Sequence, residues 1–157
     1  NSIKLKDILT PRSVVYAIEK NTLLKDIIED KRTFKFSRVP VYDGHIDNIV
    51  GIILTKKIFK EALKNNDTNL EDIMKPVFSL NENIHVAKAL NMFIKKKDHM
   101  FIVHDSYNQT EGIVTLEDCI ETLLGLEIMD ELDTTADMRK LALNKMKAKR
   151  KEKEKNN

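Results

Sequence analysis

The feature that most constrains this chain is an internal repeat. Asp7–Pro11 reads Asp-Ile-Leu-Thr-Pro and returns as Asp72–Pro76, while Gly51–Ile53 returns as Gly112–Val114 ahead of a second charged helical run. The order of apolar and polar segments between these landmarks also matches, which indicates two copies of one supersecondary unit over residues 3 to 126. A copy of about 60 residues is marginal as a free-standing domain. We therefore expect the copies to pack together and to place function between them.

Each copy reads as strand, helix, strand, strand, helix. Apolar runs and helical periodicity predict, in the first copy, a strand at 14–18, a helix capped by Thr22, strands at 38–42 and 49–54 joined through Asp43-Gly44, and a helix from Thr55. In the second copy they predict a strand at 77–80, a helix capped by Asn83, strands at 100–103 and 112–114, and a helix from Leu116 to about Leu124.

The predicted fold class is α+β. Two β-α-β-β-α repeats pack with pseudo-two-fold symmetry and are followed by a C-terminal helical tail. The predicted boundaries are 3–64 for repeat 1, 70–126 for repeat 2, and 127–157 for an acidic connector and a basic helical tail.

Composition places the chain among globular proteins. Charged residues make up 33% of it, and no apolar stretch approaches the ~18 residues that suggest a membrane span. Because the first residue is Asn1 and not Met, we expect a piece of a longer protein. Cys119 is the only cysteine, which excludes an intrachain disulfide and favours a reducing compartment. We interpret it as a small core residue.

The charge is distributed unevenly along the chain. Residues 139–157 carry nine Lys and Arg against two Glu, whereas the rest of the chain is slightly acidic. No aromatic residues interleave with these basic residues, so the tail gives no sign of a specific nucleic-acid site. Two interpretations stay open: a solvated helix end, or a segment attracted by charge to anionic lipid headgroups or RNA.

The sharpest local motif is Gly112–Asp118, where a strand becomes a helix. Thr115 and Asp118 lie three residues apart, and two interpretations compete. In the first they form a capping box that needs no ligand. In the second Asp118 accepts both ribose hydroxyls of a nucleotide and Thr115 adds a further hydrogen bond beside the helix N-terminus.

A doubled unit of this kind with a Gly-apolar-apolar-Thr-x-x-Asp ending resembles the CBS domain, which occurs as a tandem pair. The resemblance narrows to the CBS pair of the CorC and cyclin-M family, many of whose members are described as haemolysin-like. It rests on five segments of this sequence: 37–42, 47–51, 99–100, 112–118 and 121–128. Members of that family carry a transmembrane domain ahead of the pair and are associated with magnesium and cobalt efflux.

The resemblance implies an adenine nucleotide (ATP, ADP or AMP, with or without magnesium) bound in a cleft between the copies. Its ribose meets Thr115 and Asp118, and its base lies near Thr10, Phe36 and Pro40. Phe36 offers an aromatic face, Pro40 an apolar one, and Thr10 a hydrogen-bonding group for the adenine edge. Arg38 is the candidate ligand for the phosphates.

The matching cleft of the first copy is expected to bind no nucleotide. Leu54 and Lys57 stand there in place of Thr115 and Asp118, and neither accepts a hydrogen bond from a ribose. A second departure lies at 105–109, where the family usually has Asp-Glu-Tyr-Gly-Gly. We expect Asn108 to adopt the left-handed conformation of the missing glycine.

The sequence favours a regulatory binding module over an enzyme, because no nucleophile, base and orienting group converge in it. Its four histidines have no metal-ligand spacing, so no metal site is predicted. The alternative function is a ligand-free dimerisation and assembly module.

The resemblance also implies partners. We expect a homodimer formed through the CBS helices, for which Ile58, Phe59, Ile120 and Leu123 offer apolar surface. An upstream transmembrane domain of the same chain would place this soluble fragment at the cytoplasmic face of the cell membrane, with the basic tail near anionic lipid.

Overall fold

The computed structural model of this chain describes residues 2–64, 67–132 and 136–155, apart from the side chains of 136–142 and 155. The strands are β1 (Thr10–Pro11), β2 (Ile18–Glu19), β3 (Arg38–Asp43), β4 (His45–Leu54), β5 (Ser79–Asn81), β6 (Met100–His104) and β7 (Thr110–Thr115). The helices are α1 (Leu5–Ile8), α2 (Leu24–Glu29), α3 (Thr55–Lys64), α4 (Val86–Lys96), α5 (Leu116–Glu131) and α6 (Ala136–Lys155). The α+β class is confirmed, with two sheets and helices in both halves.

The chain divides into two compact units. The central unit contains residues 16–78, and the split unit contains residues 1–15 together with 79–157. Within the described residues, no helix combines the length and apolar character needed to cross a bilayer.

The central unit is a three-stranded sheet covered by α2 and α3. Strand β2 runs parallel to β3, and β3 pairs with β4 in a hairpin whose turn places Gly44 at a φ of 79°. Beyond β4, Lys75 forms an antiparallel bridge with Ile52. Leu24, Ile27 and Ile58 from the helices meet the sheet residues in an aliphatic core.

The split unit repeats this plan with four strands in the order β1-β7-β6-β5. Strand β5 runs parallel to β6, and β6, β7 and β1 pair antiparallel in turn. Its core centres on Phe93 of α4 and Phe101 of β6, whose stacked rings lie 4.0 Å apart between centroids. The β6–β7 turn confirms the expectation for Asn108, which adopts a φ of 63°.

The opening segments of the two repeats exchange places. Thr10–Pro11, at the start of repeat 1, pairs with β7 of repeat 2, and Lys75, at the start of repeat 2, pairs with β4 of repeat 1. The peptide N–H of Leu5 also donates to the carbonyl oxygen of Ile84 at 2.9 Å. This exchange explains why residues before 16 lie in the split unit, although the sequence repeat begins at residue 3.

Two predicted helix caps are wrong. Thr22 lies in a turn, where its N–H donates to the Glu19 carbonyl oxygen at 3.0 Å, and α2 begins after Leu23. Asn83 also lies in a turn, which the Asn81 side chain closes by accepting the Asn83 N–H at 2.8 Å. Helix α4 begins after His85 without a side-chain cap.

The C-terminal part differs from a solvated helix end. Helix α5 continues past the predicted end at Leu124 to Glu131, and α6 packs on the split unit through residues 143–153. Residues 133–135 of the predicted connector and 156–157 of the tail lie outside the described residues.

Candidate functional site

The junction between β7 and α5 is shaped by a reciprocal pair of hydrogen bonds. Thr115 ends β7 in an extended conformation, and its Oγ1 accepts the N–H of Asp118 at 3.2 Å. The Asp118 Oδ2 accepts the N–H of Thr115 at 3.3 Å. The capping box is therefore formed, and it fixes both side chains that were predicted to meet a ribose.

The second carboxylate oxygen of Asp118 faces the C-terminal helix. Asp118 Oδ1 accepts from the ammonium group of Lys153 at 2.9 Å. The Asp118 side chain is 13% exposed and that of Lys153 is 37% exposed, so the ion pair stands at the edge of solvent. Both oxygens of the carboxylate thus have partners inside the split unit.

Thr10 lies on the strand next to this junction. In the β1–β7 pairing it stands opposite Ile113, two residues before Thr115, and Pro11 stands opposite Gly112. Arg12 stabilises this pairing near the start of β7, because its Nη1 donates to the Thr110 carbonyl oxygen at 3.1 Å. The structure therefore brings together three of the six predicted site residues: Thr10, Thr115 and Asp118.

The other three lie in the central unit near the start of α3. Phe36 is half-buried and stacks on Tyr16, with ring centroids 5.8 Å apart and planes 18° from parallel. Arg38 is half-buried at the start of β3 opposite Leu54, and Pro40 is buried opposite Ile52. The Phe36 carbonyl oxygen accepts a hydrogen bond from the Thr55 hydroxyl, which connects this segment to α3.

The strand–helix junction of the central unit has a different chemistry. Leu54 ends β4 where Thr115 ends β7, and Lys57 is exposed in the first turn of α3 where Asp118 stands in α5. Neither side chain accepts hydrogen bonds. The first copy thus lacks the acceptors that the second copy provides.

Sequence reasoning missed the side chains of α6 that reach this site. Met146, Lys149, Arg150 and Lys153 follow helical spacing, and each contacts the split unit. In the sequence, Met146 continues a weak helical stripe that begins with Met138, Leu141 and Ala142, and the side chains of these three lie outside the described residues. Continuing that stripe for two helical turns beyond Met146 identifies the basic residues Lys149, Arg150 and Lys153.

Cys119 follows Asp118 and points into the core. Burial, with a smaller contribution from the Asp118 carboxylate, raises the pKa of the Cys119 thiol to about 12. Cys119 is fully buried, which confirms that it is a core residue, and its raised pKa keeps the thiol neutral at physiological pH.

Comparison with known proteins identifies the repeat. The CBS domain family model matches residues 70–125, which is the second copy. The structure of the CBS domain of a bacterial CNNM/CorC family Mg²⁺ transporter is 34% identical and superimposes with a TM-score of 0.70, covering 75% of this chain and 73% of that one. The same domain in complex with ATP is 34% identical, with a TM-score of 0.70 and coverage of 75% and 84%.

A protein named possible hemolysin C from Rickettsia bellii is 34% identical over 139 residues, which is 85% of this chain and 46% of that protein. The chain spans less than half the length of the curated relatives it matches. These similarities, together with the repeated fold, show that the chain belongs to the CBS domains of the CNNM/CorC family.

Proposed function

We propose that this chain is a regulatory, adenine-nucleotide-binding CBS pair and the cytosolic part of a membrane transporter that exports magnesium or cobalt. Its relatives include a CNNM/CorC family Mg²⁺ transporter whose CBS domain forms a complex with ATP. Regulation then follows from a population shift, because a ligand that binds one conformation of the pair more tightly moves the protein toward that conformation.

One observation carries the nucleotide proposal. The two repeated strand–helix junctions differ at the positions whose side chains could accept hydrogen bonds from ribose hydroxyls. The split unit has Thr115 and Asp118, and the central unit has Leu54 and Lys57 at the same positions. A motif kept only for helix capping would serve both junctions equally well. The asymmetry therefore favours one nucleotide per chain.

The residues of the split unit suit a nucleoside. The Asp118 carboxylate accepts from both ribose hydroxyls, and its place in the capping box holds it in one orientation before the ligand arrives. Thr115 offers its hydroxyl beside it. Thr10 contributes hydrogen-bonding groups to the adenine edge from the neighbouring strand.

Three residues of the central unit are also proposed to bind the nucleotide: Phe36, Pro40 and Arg38. Phe36 and Pro40 contact the base, and Arg38 pairs with the phosphates through its planar guanidinium. Their participation is supported by their chemistry and by their grouping within one short segment of the central unit.

A second candidate function, a ligand-free assembly module, is favoured by a specific observation. The capping box of Thr115 and Asp118 is satisfied without any ligand, and Lys153 pairs with the remaining oxygen. The Thr115–Asp118 motif is then purely structural, and the function lies with the exposed apolar stripe of α5, which consists of Ile120, Leu124 and Ile128.

The wider assignment rests on the family. We propose a regulatory role without catalysis, an upstream transmembrane domain in the same chain, and a position at the cytoplasmic face of the membrane. A homodimer forms through the CBS helices. The charge of α6 supports contact with anionic lipid when that helix is accessible.

Calorimetric titration of the intact chain with ATP, ADP and AMP, each with and without magnesium, tests the proposal. Binding of at least one adenine nucleotide with a stoichiometry of one per chain is expected. CTP is the control, since it keeps the ribose and phosphates and changes only the base. Absence of binding by all three adenine nucleotides would support the assembly module instead.

A further inference from the structure

We propose that α6 covers the nucleotide site from within the chain, with Lys153 competing with the ribose for Asp118. This inference rests on the proposed function and adds its regulation. A docked α6 keeps nucleotide affinity low, and nucleotide binding releases the helix from Asp118.

The docking of α6 is a continuous set of contacts along one helical face. Met146 Sδ lies 4.0 Å from the Thr122 hydroxyl, and the Lys149 ammonium forms an ion pair with Glu121. The next residue is Arg150, and its Nη1 donates to the Lys6 carbonyl oxygen at 2.9 Å. Lys153 then reaches Asp118. Because these residues are spaced by three or four, they present one face to α5 and α1.

The competition follows from the bonding capacity of the carboxylate. Asp118 Oδ2 already accepts the N–H of Thr115, so Oδ1 is the oxygen with greater freedom to accept from a ligand. That oxygen is the one which Lys153 engages at 2.9 Å. A ribose hydroxyl and the ammonium cannot approach it from the same direction at hydrogen-bond distance.

The ion pair between Lys153 and Asp118 can break and form again readily. The Lys153 side chain is 37% exposed, so water and salt weaken its attraction to Asp118. The adjacent pair of Lys149 and Glu121 is more exposed on both sides. A ligand that contributes several hydrogen bonds of its own can therefore displace the helix.

The test is a calorimetric titration of Lys153→Ala with ATP, with Lys145→Ala as the matched control. Lys145 is an exposed residue of the same helix, so its replacement makes the same change in charge and side chain away from Asp118. Lys153→Ala is expected to tighten ATP binding about fivefold, which corresponds to a docked fraction of about 80% in the wild type. Lys145→Ala is expected to leave the Kd within about twofold, since it removes only a screened charge.

A second measurement follows the docking of α6 directly. Hydrogen exchange of the backbone over 143–153 is expected to speed up in Lys153→Ala without nucleotide, and in the wild type when ATP is added. Unchanged exchange in both cases would contradict the proposal that α6 docks over Asp118 and is released by nucleotide.

The outcomes separate this inference from the proposed function. If wild type and Lys153→Ala bind ATP equally, only the competition fails. If Lys153→Ala binds more weakly, Lys153 is a phosphate ligand and not a cover, which also overturns the inference. If neither protein binds any adenine nucleotide, the proposed function fails and the competition fails with it.

Discussion

The carbonyl oxygen of Thr10 occupies the space in which a side chain at Gly112 would begin. A Cβ built on Gly112 would lie 1.9 Å from that oxygen, far inside van der Waals contact. The pairing of β1 with β7 therefore requires glycine at this position. The central unit shows a milder form of the same restriction, since a Cβ on Gly51 would lie 2.8 Å from the Lys75 carbonyl oxygen.

Gly112→Ala is expected to destabilise the split unit by about 3 kcal/mol, because the backbone of Thr10 must move away and the β1–β7 pairing is lost. Urea denaturation followed by circular dichroism measures this free energy of unfolding.

Gly125→Ala is the matched control. Its Cβ would lie 3.7 Å from Met146 Cε, an ordinary contact, and Gly125 is within α5. Alanine there is expected to stabilise the protein by about 0.5–1 kcal/mol through its higher helix propensity. Equal effects of the two substitutions would contradict the close approach of Thr10.

The repeat allowed much of this fold to be predicted, but not the exchange of opening segments. Gly51 and Gly112 mark corresponding positions of the two copies, and the strands and helices around them follow periodicity. A two-residue strand such as Thr10–Pro11 has no periodicity of its own, and its pairing partner lies about a hundred residues away. Local patterns contain no information about such a contact.

The failed cap at Asn83 has a similar cause. The N–H of Val86, at the first position of α4, donates to the Ile3 carbonyl oxygen at 3.0 Å. In a helix capped by Asn83, Val86 would be the third residue, whose N–H the cap side chain would accept. The Ile3 carbonyl oxygen accepts that N–H instead, so no cap at Asn83 is needed. Propensity identified the helix, and tertiary contact decided where it begins.

Cys119 provides a chemical probe of the core around the site. Because burial raises the pKa of its thiol to about 12, the native protein is expected to resist an aromatic disulfide reagent at about pH 8. The unfolded protein in urea is the control and is expected to react with one thiol per chain. Rapid labelling of the native protein would show that the site region opens.

The same pKa predicts a pH dependence of stability. The folded chain holds the thiol proton more tightly than the unfolded chain, in which the pKa is near its ordinary value of 9.0. This stabilisation is complete below that value and is lost as the pH rises through about 12. Cys119→Ala is expected to show a smaller loss of stability over that range in urea titrations at successive pH values.

Dimerisation is expected to use a surface that differs in part from the one predicted. Ile58 is buried in the core of the central unit and offers no surface, whereas Ile120, Leu124 and Ile128 form an exposed stripe on α5. Leu124→Lys is expected to weaken self-association about tenfold or more, because it places a charge in an apolar contact. Analytical ultracentrifugation measures the change.

Tyr107→Lys controls for that substitution. Tyr107 is 87% exposed in the β6–β7 turn, so replacing it also removes a large apolar side chain from the surface. The Tyr107→Lys variant is expected to self-associate as strongly as the wild type. A wild-type chain that stays monomeric at high concentration would exclude the dimer altogether.

Part of the candidate site could be predicted and part could not. The spacing of Thr115 and Asp118 at the start of a helix predicts both a capping box and an acceptor pair, and the structure shows the first of these. The partner of Asp118 is Lys153, 35 residues away in a helix with many lysines. Sequence could not distinguish that lysine from its neighbours, because only the docking of α6 selects it.

The central claim is that Asp118 binds the nucleotide, and its most direct test is calorimetric titration of Asp118→Ala with ATP. The loss of hydrogen bonds to a charged group is expected to cost about 1.5–3 kcal/mol, which weakens binding by about 10- to 150-fold. Thr115→Val is expected to give a smaller loss. Lys57→Ala, at the matching position of the central unit, and Glu117→Ala, in the same first turn of α5, are expected to bind as the wild type does. Thermal denaturation confirms that each variant is folded, since Asp118→Ala also removes the capping box. An Asp118→Ala variant that is folded and binds ATP with wild-type affinity would contradict the account.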